Sequence, residues 1–158
     1  MSGNLEKLSE FVNYAKSCKG YEKGEAQVFC DRLFQAFGHR GYKEAGAELE
    51  YPLKTSERRI IFPDLIWKPF LLLEMKIREE NLAKHYEQVK DYWLELFPNR
   101  PRYVVSCNFI ELWIYDFEKQ LREPVDKFKV EDLPKRYTAL NFLFPKNPTP
   151  IFCNNRVD

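Results

Sequence analysis

Two carboxylates and one ammonium lie close together in the stretch FPDLIWKPFLLLEMK, Phe62 to Lys76. Asp64 comes first, nine residues follow, and Glu74 and Lys76 then bracket Met75. Hydrolysing a phosphodiester at neutral pH requires a positioned divalent metal, an activated water and positive charge near the developing oxyanion. Magnesium is a hard ion, typically held by one or two carboxylates while it keeps several waters. Asp64 and Glu74 are the residue types to supply those carboxylates, and the backbone carbonyl of Met75 is placed to be a third ligand. Lys76 has the chemistry to orient or deprotonate the water, or to hold a phosphate oxygen. The competing reading is a buried ion pair, Lys76 with Glu74 or with Asp64, which is what a lone acid–x–lysine triplet usually signifies.

The surrounding elements favour a site. Phe70-Leu71-Leu72-Leu73 is an unbroken apolar run ended by charge, the pattern of a central strand buried on both faces. Along it, Glu74 and Lys76 point one way and Met75 the other. Arg59 to Trp67 reads as the preceding strand, with Pro63 imposing an edge, bend or bulge just before Asp64. Lys68-Pro69 makes a tight turn between the two, giving an antiparallel hairpin. Before it, Ala47 to Thr55 alternates as a strand, with Leu49, Tyr51 and Leu53 on one face and Glu48, Glu50 and Lys54 on the other.

Helices flank this hairpin. Asn4 to Lys16 carries an apolar stripe, and a second helix runs from about Glu22 to Phe37 and stops at Gly38. Glu25 falls at the end of that second stripe, four residues before Phe29. It is either a first-turn acid favoured by the helix dipole or a member of the site. Arg78 to Phe97 is expected to be one long helix with Leu82, Tyr86, Val89, Trp93 and Leu96 inward. Beside that stripe Asn81, His85, Gln88 and Tyr92 form a hydrogen-bonding one, in which Gln88 and Tyr92 reach the same face and His85 is a neighbour rather than a ligand. Strands follow at Arg102 to Cys107 and Ile110 to Phe117. A helix between the central strand and Arg102–Cys107 predicts a parallel crossover, hence a mixed sheet. A short strand and turn (Lys127 to Tyr137) and a helical turn (Tyr137 to Phe144) come next. From Pro145 the proline-rich end reads as a linker. Trp67, Trp93 and Trp113 read as core.

With 158 residues, 44% hydrophobic and 16% aromatic, the chain is long enough for one real core. A formal charge of +1 gives no global basic field for nucleic acid. The four cysteines are widely spaced and only His39 and His85 accompany them, which argues against zinc. Cys30 and Cys107 read as small core residues. The first ten residues lack the features of a signal peptide, no apolar run is long enough to span a membrane, and a cytoplasmic location is expected.

Pro63-Asp64 followed by Glu74-Met75-Lys76 resembles the PD-(D/E)XK nuclease signature, and Gln88 with Tyr92 resembles the QxxxY element of RecB-like members. The resemblance extends through GEAQVFCDRLFQAFG, FPDLIWKPFLLLEMK, NLAKHYEQVKDYW and RPRYVVSCNFIELWIYDF, about Glu22 to Leu133. In those stretches the chain is similar to the N-terminal nuclease domain of MmeI-like (type IIL/IIG) restriction–modification enzymes. The resemblance implies a restriction-endonuclease-like α/β fold, an αβββαβ core with a mixed central sheet flanked by helices. It implies magnesium-dependent cleavage of double-stranded DNA, with manganese able to substitute. Asp64 and Glu74, with the Met75 carbonyl, would be metal ligands, and Glu25 would complete the site. Lys76 would be the catalytic lysine, Gln88 would act beside it, and Tyr92 would be auxiliary. It also implies a methyltransferase domain using S-adenosylmethionine and a target-recognition domain in the same polypeptide, and since cutting two strands needs two sites, a transient dimer on DNA is expected. A type I restriction motor subunit, or a catalytically silent DNA-binding module, would share the same motif. The expected organisation is an N-terminal helix (1–20), the nuclease core (21–133) and an extension or linker (134–158).

Overall fold

The computed structural model describes residues 2–153. Helices α1 (Ser2–Ser17) and α2 (Lys23–Ala36) lead, then a short turn of helix, α3 (Tyr42–Ala45). The strands are β1 (Glu48–Leu49), β2 (Leu53–Lys54), β3 (Ile60–Ile61), β4 (Leu65–Trp67) and β5 (Leu71–Met75). A 3-10 turn at Leu82–His85 opens α4 (Tyr86–Glu95). Then come β6 (Tyr103–Cys107), β7 (Glu111–Tyr115), β8 (Asp126–Lys129), α5 (Leu133–Arg136) and a 3-10 segment, Tyr137–Leu143.

Six strands form one mixed sheet in the order β1-β4-β5-β6-β7-β8. Only the β5–β6 pair is parallel, as the intervening helix requires. Period-2 alternation splits each strand between two cores. Leu71, Leu73 and Met75 face α1, α2 and the C-terminal segment, while Leu72 faces α4 with Ile66, Val104, Val89 and Trp93. Leu71, Leu72 and Leu73 are each at most 1% exposed, and such burial stabilises by about 1.5–3 kcal/mol per side chain. The apolar run is therefore a strand buried on both faces, and the mixed sheet between helices is the expected one.

Five expectations change. The strand from Ala47 to Thr55 is broken: Glu50 lies in the left-handed region at φ 49°, so β1 stays in the main sheet while β2 leaves it to pair with β3. The strand from Arg59 to Trp67 divides at Pro63, where the missing N–H and fixed φ interrupt the ladder. The long helix from Arg78 shortens, because Ile77 to Glu80 form a turn and the helix begins properly only at Tyr86. The proline-rich end is no free linker. Phe142 stacks on Tyr103, Phe152 is buried, and the Ile151 amide donates to the Thr138 carbonyl at 3.0 Å. Its last five residues, 154–158, lie outside the described residues. Trp113 is only half-buried. No helix among the described residues is long and apolar enough to cross a membrane.

Candidate functional site

The β4–β5 hairpin turns at Lys68-Pro69, closed by the Phe70 amide donating to the Trp67 carbonyl at 2.7 Å. Its register sets Leu65 against Leu73 and Ile66 against Leu72, which carries Asp64 opposite Glu74. The two acids interlock. Asp64 N–H donates to Glu74 Oε2 at 2.7 Å, and Met75 N–H donates to Asp64 Oδ2 at 2.7 Å. Each carboxylate thus uses one oxygen to fix the other strand's backbone, a strong charge-assisted contact.

Glu74 is 3% exposed. Burial first, and the neighbouring Asp64 charge next, push its carboxyl well above the usual range, and Lys76 only partly offsets this. Lys76, half-buried at the end of β5, donates its Nζ to Gln88 Oε1. Gln88 Nε2 in turn donates to the Tyr92 hydroxyl at 3.3 Å. Burial, and then the Glu74 and Asp64 charges, raise the Tyr92 hydroxyl above its ordinary value. Two hydrogen-bonded sets therefore meet at the end of the hairpin, the Asp64–Glu74 pair and the Lys76–Gln88–Tyr92 chain that reaches α4, as the helical spacing of Gln88 and Tyr92 predicts, and the Lys76 charge is felt at Glu74. His85 pairs with Glu80 at 3.2 Å and takes no part.

Glu25 does not join. Its carboxylate accepts the Lys19 amide at 3.0 Å and the Gly20 amide at 2.6 Å, so it ties down the turn between α1 and α2. Those bonds, Gly20's above all, hold its carboxyl below the usual range. Gly20 is needed there: its φ is +81°, and a Cβ would meet Arg78 Cβ at 2.5 Å.

Two groups near the acids carry no sequence signal. Glu50 forms an ion pair with Lys23 at 2.6 Å, and both line a small cleft with Asp64 and Met75. In the sequence Glu50 looks like the solvent face of a strand; only the break after β1 turns it toward α2. Ser106 is the β6 register partner of Glu74 and is 1% exposed, and its hydroxyl has no hydrogen-bond partner among the described residues. No third His, Cys, Asp or Glu completes a metal cluster among the described residues. The all-oxygen pair nonetheless fits a hard, partly hydrated cation. Lys76 offsets only part of the charge of two adjacent carboxylates, and the buried Ser106 hydroxyl beside Glu74 is left unpaired among the described residues.

A family model described as "MmeI, N-terminal domain" matches residues 3–156. Among solved structures, a chain titled "cryoEM structure DrdV-DNA complex" is similar with a TM-score of 0.57 and 14% identity over 89% of this chain. At that identity the likeness is one of fold, and this chain spans 14% of the length of that one. No curated protein matches this sequence.

Proposed function

The chain belongs to the MmeI N-terminal domain family, and on that premise we propose that it is the DNA-cleaving domain of a restriction–modification system. The reading is a magnesium-dependent endonuclease acting on double-stranded DNA, with methyl transfer from S-adenosylmethionine and target recognition supplied by other regions. The similarity to a chain of a DNA complex supports a role on DNA. The observation that carries the reading is the interlocked Asp64–Glu74 pair with Lys76 held beside it by Gln88.

Asp64, Glu74 and the Met75 carbonyl would hold the cation. When bound, such a cation supplies Lewis-acid charge against the developing oxyanion. The protein's own groups do the positioning. The backbone bonds between β4 and β5 keep the two carboxylates at one spacing, so no reorganisation is needed when charge develops. Lys76 lies on the same face as Glu74 and presents its ammonium to a phosphate oxygen or to the attacking water. Gln88, backed by Tyr92, restrains the long lysine side chain to that face. Cutting both strands calls for two such sites, so a transient pairing of domains on DNA belongs to the same proposal.

The test is nicking of supercoiled plasmid with magnesium or manganese. Wild type nicks only with metal, while Asp64→Ala and Lys76→Ala lose at least about a hundredfold in rate. Cleavage in chelator, or full activity in both variants, would refute the assignment.

A further inference from the structure

β2 and β3 leave the main sheet and form a separate two-stranded ribbon whose end runs through Phe62 and Pro63 into Asp64. The ribbon is anchored. The Ser56 amide and hydroxyl donate to the two carboxylate oxygens of Glu95 on α4 at 2.9 and 3.0 Å. Thr55 N–H donates to the Arg59 carbonyl at 2.7 Å and closes the turn. Its inner face rests on the protein, with Leu53 and Tyr51 packed against the Val89–Trp93 cluster. Register sets Leu53 against Ile61 and Lys54 against Ile60, so the outer face carries Lys54 and Ile60. Ile60 is 62% and Phe62 53% exposed, two residues apart on the segment that leads into Asp64.

Lys54, Arg58 and Arg59 are all exposed, and none forms a salt bridge among the described residues. Glu57 is the ribbon's one acid, in a chain whose net charge is only +1. Arg59's charge is felt at the Tyr92 hydroxyl, next to Gln88 and Lys76. Unpaired cations beside exposed apolar side chains match a polyanion with sugar and base edges between its phosphates. A two-stranded ribbon also has the dimensions to enter a DNA groove.

We propose that the β2–β3 ribbon grips duplex DNA beside the cleavage site, with Lys54, Arg58 and Arg59 on backbone phosphates and Ile60 and Phe62 against the groove. The assignment rests on the nuclease reading above but is measured separately, by binding. The experiment titrates the full chain into a fluorescent 30-base-pair duplex without metal, following anisotropy across a salt series. Arg58→Ala/Arg59→Ala loses about tenfold or more in affinity at low salt, and its slope of log affinity against log salt falls by about two. Ile60→Ser/Phe62→Ser weakens binding with the slope unchanged, since no phosphate contact is lost. Lys135→Ala/Lys146→Ala, an equal loss of charge elsewhere on the surface, binds as wild type. Thermal melts matching wild type certify that each variant is folded. Wild-type affinity and slope in both ribbon variants would overturn the proposal and would favour another protein domain as the ribbon's partner. Failure of wild type to bind duplex at low salt would overturn it too. Plasmid nicking separates the two readings: a ribbon that governs binding in a chain that never nicks sinks the nuclease alone, whereas unimpaired nicking and binding by the ribbon variants sinks the ribbon alone.

Discussion

Glu74→Gln asks whether the central acid is retained for function at the expense of stability. Glu74 is 3% exposed, and its Oε2 accepts the Asp64 amide. Glutamine keeps the shape and an acceptor for that bond, so the substitution removes charge and little else. Burial and Asp64 raise the folded-state pKa of Glu74. The folded chain therefore holds this proton more tightly than the unfolded chain. The associated stability is full below the unfolded-state pKa and is lost as pH rises through the folded-state value. An uncompensated buried carboxylate costs several kcal/mol, and Lys76 together with local relaxation offsets part of that. In chelator at pH 8, Glu74→Gln is expected to be more stable than wild type by about 1–3 kcal/mol. That corresponds to a melting temperature higher by about 3–9 °C for a chain of this size. At about pH 3 the gap closes, because wild-type Glu74 is then protonated in the unfolded chain as well as in the folded one. Magnesium at a hundred times its dissociation constant adds about 2.7 kcal/mol to wild type and little to the variant, bringing wild type level or above. Urea unfolding at the two pH values, with and without magnesium, reads all of this. A variant less stable than wild type at pH 8 in chelator, or equal magnesium stabilisation of both proteins, would refute the reasoning.

Other outcomes follow from single contacts. Gln88→Leu releases the Lys76 ammonium and is expected to slow nicking about 10–100-fold while leaving the melting temperature nearly unchanged; an unaltered rate would remove Gln88 from the site. Glu25→Ala should leave manganese affinity, measured by calorimetry, within about twofold of wild type, since its contacts are confined to the turn at Gly20. Arg102 donates from Nε and Nη2 to Asp116, which is 1% exposed, so Arg102→Met should cost roughly 2–4 kcal/mol in urea unfolding by stranding that carboxylate. Phe142→Ala should cost about 3–5 kcal/mol, as a core aromatic does; a loss near zero would return the C-terminal segment to the status of a linker.

The sequence by itself determined the hairpin and which of its charged residues lie together. Buried apolar runs, the Lys68-Pro69 turn and strict alternation are local signals, and they place Glu74 and Lys76 on one face whatever surrounds them. The spacing of four between Gln88 and Tyr92 was legible for the same reason. What the sequence left open was set by contacts between distant segments. Glu25 stands at the right helical offset for the site, yet the chain folds back at Gly20 and offers amides nearer to hand. Glu50 and Lys23 meet across elements that no periodicity connects, and Ser106 faces Glu74 only through the β5–β6 register. The prolines near the C-terminus signal a linker locally, but Phe142 and Phe152 bury against Tyr103, and apolar burial outweighs local stiffness. The ribbon of β2 and β3 is likewise a tertiary decision. Glu50's left-handed turn and Pro63's missing donor release it from the main sheet, and its inner face packs on the Val89–Trp93 cluster while β3 runs on through Phe62 and Pro63 into Asp64.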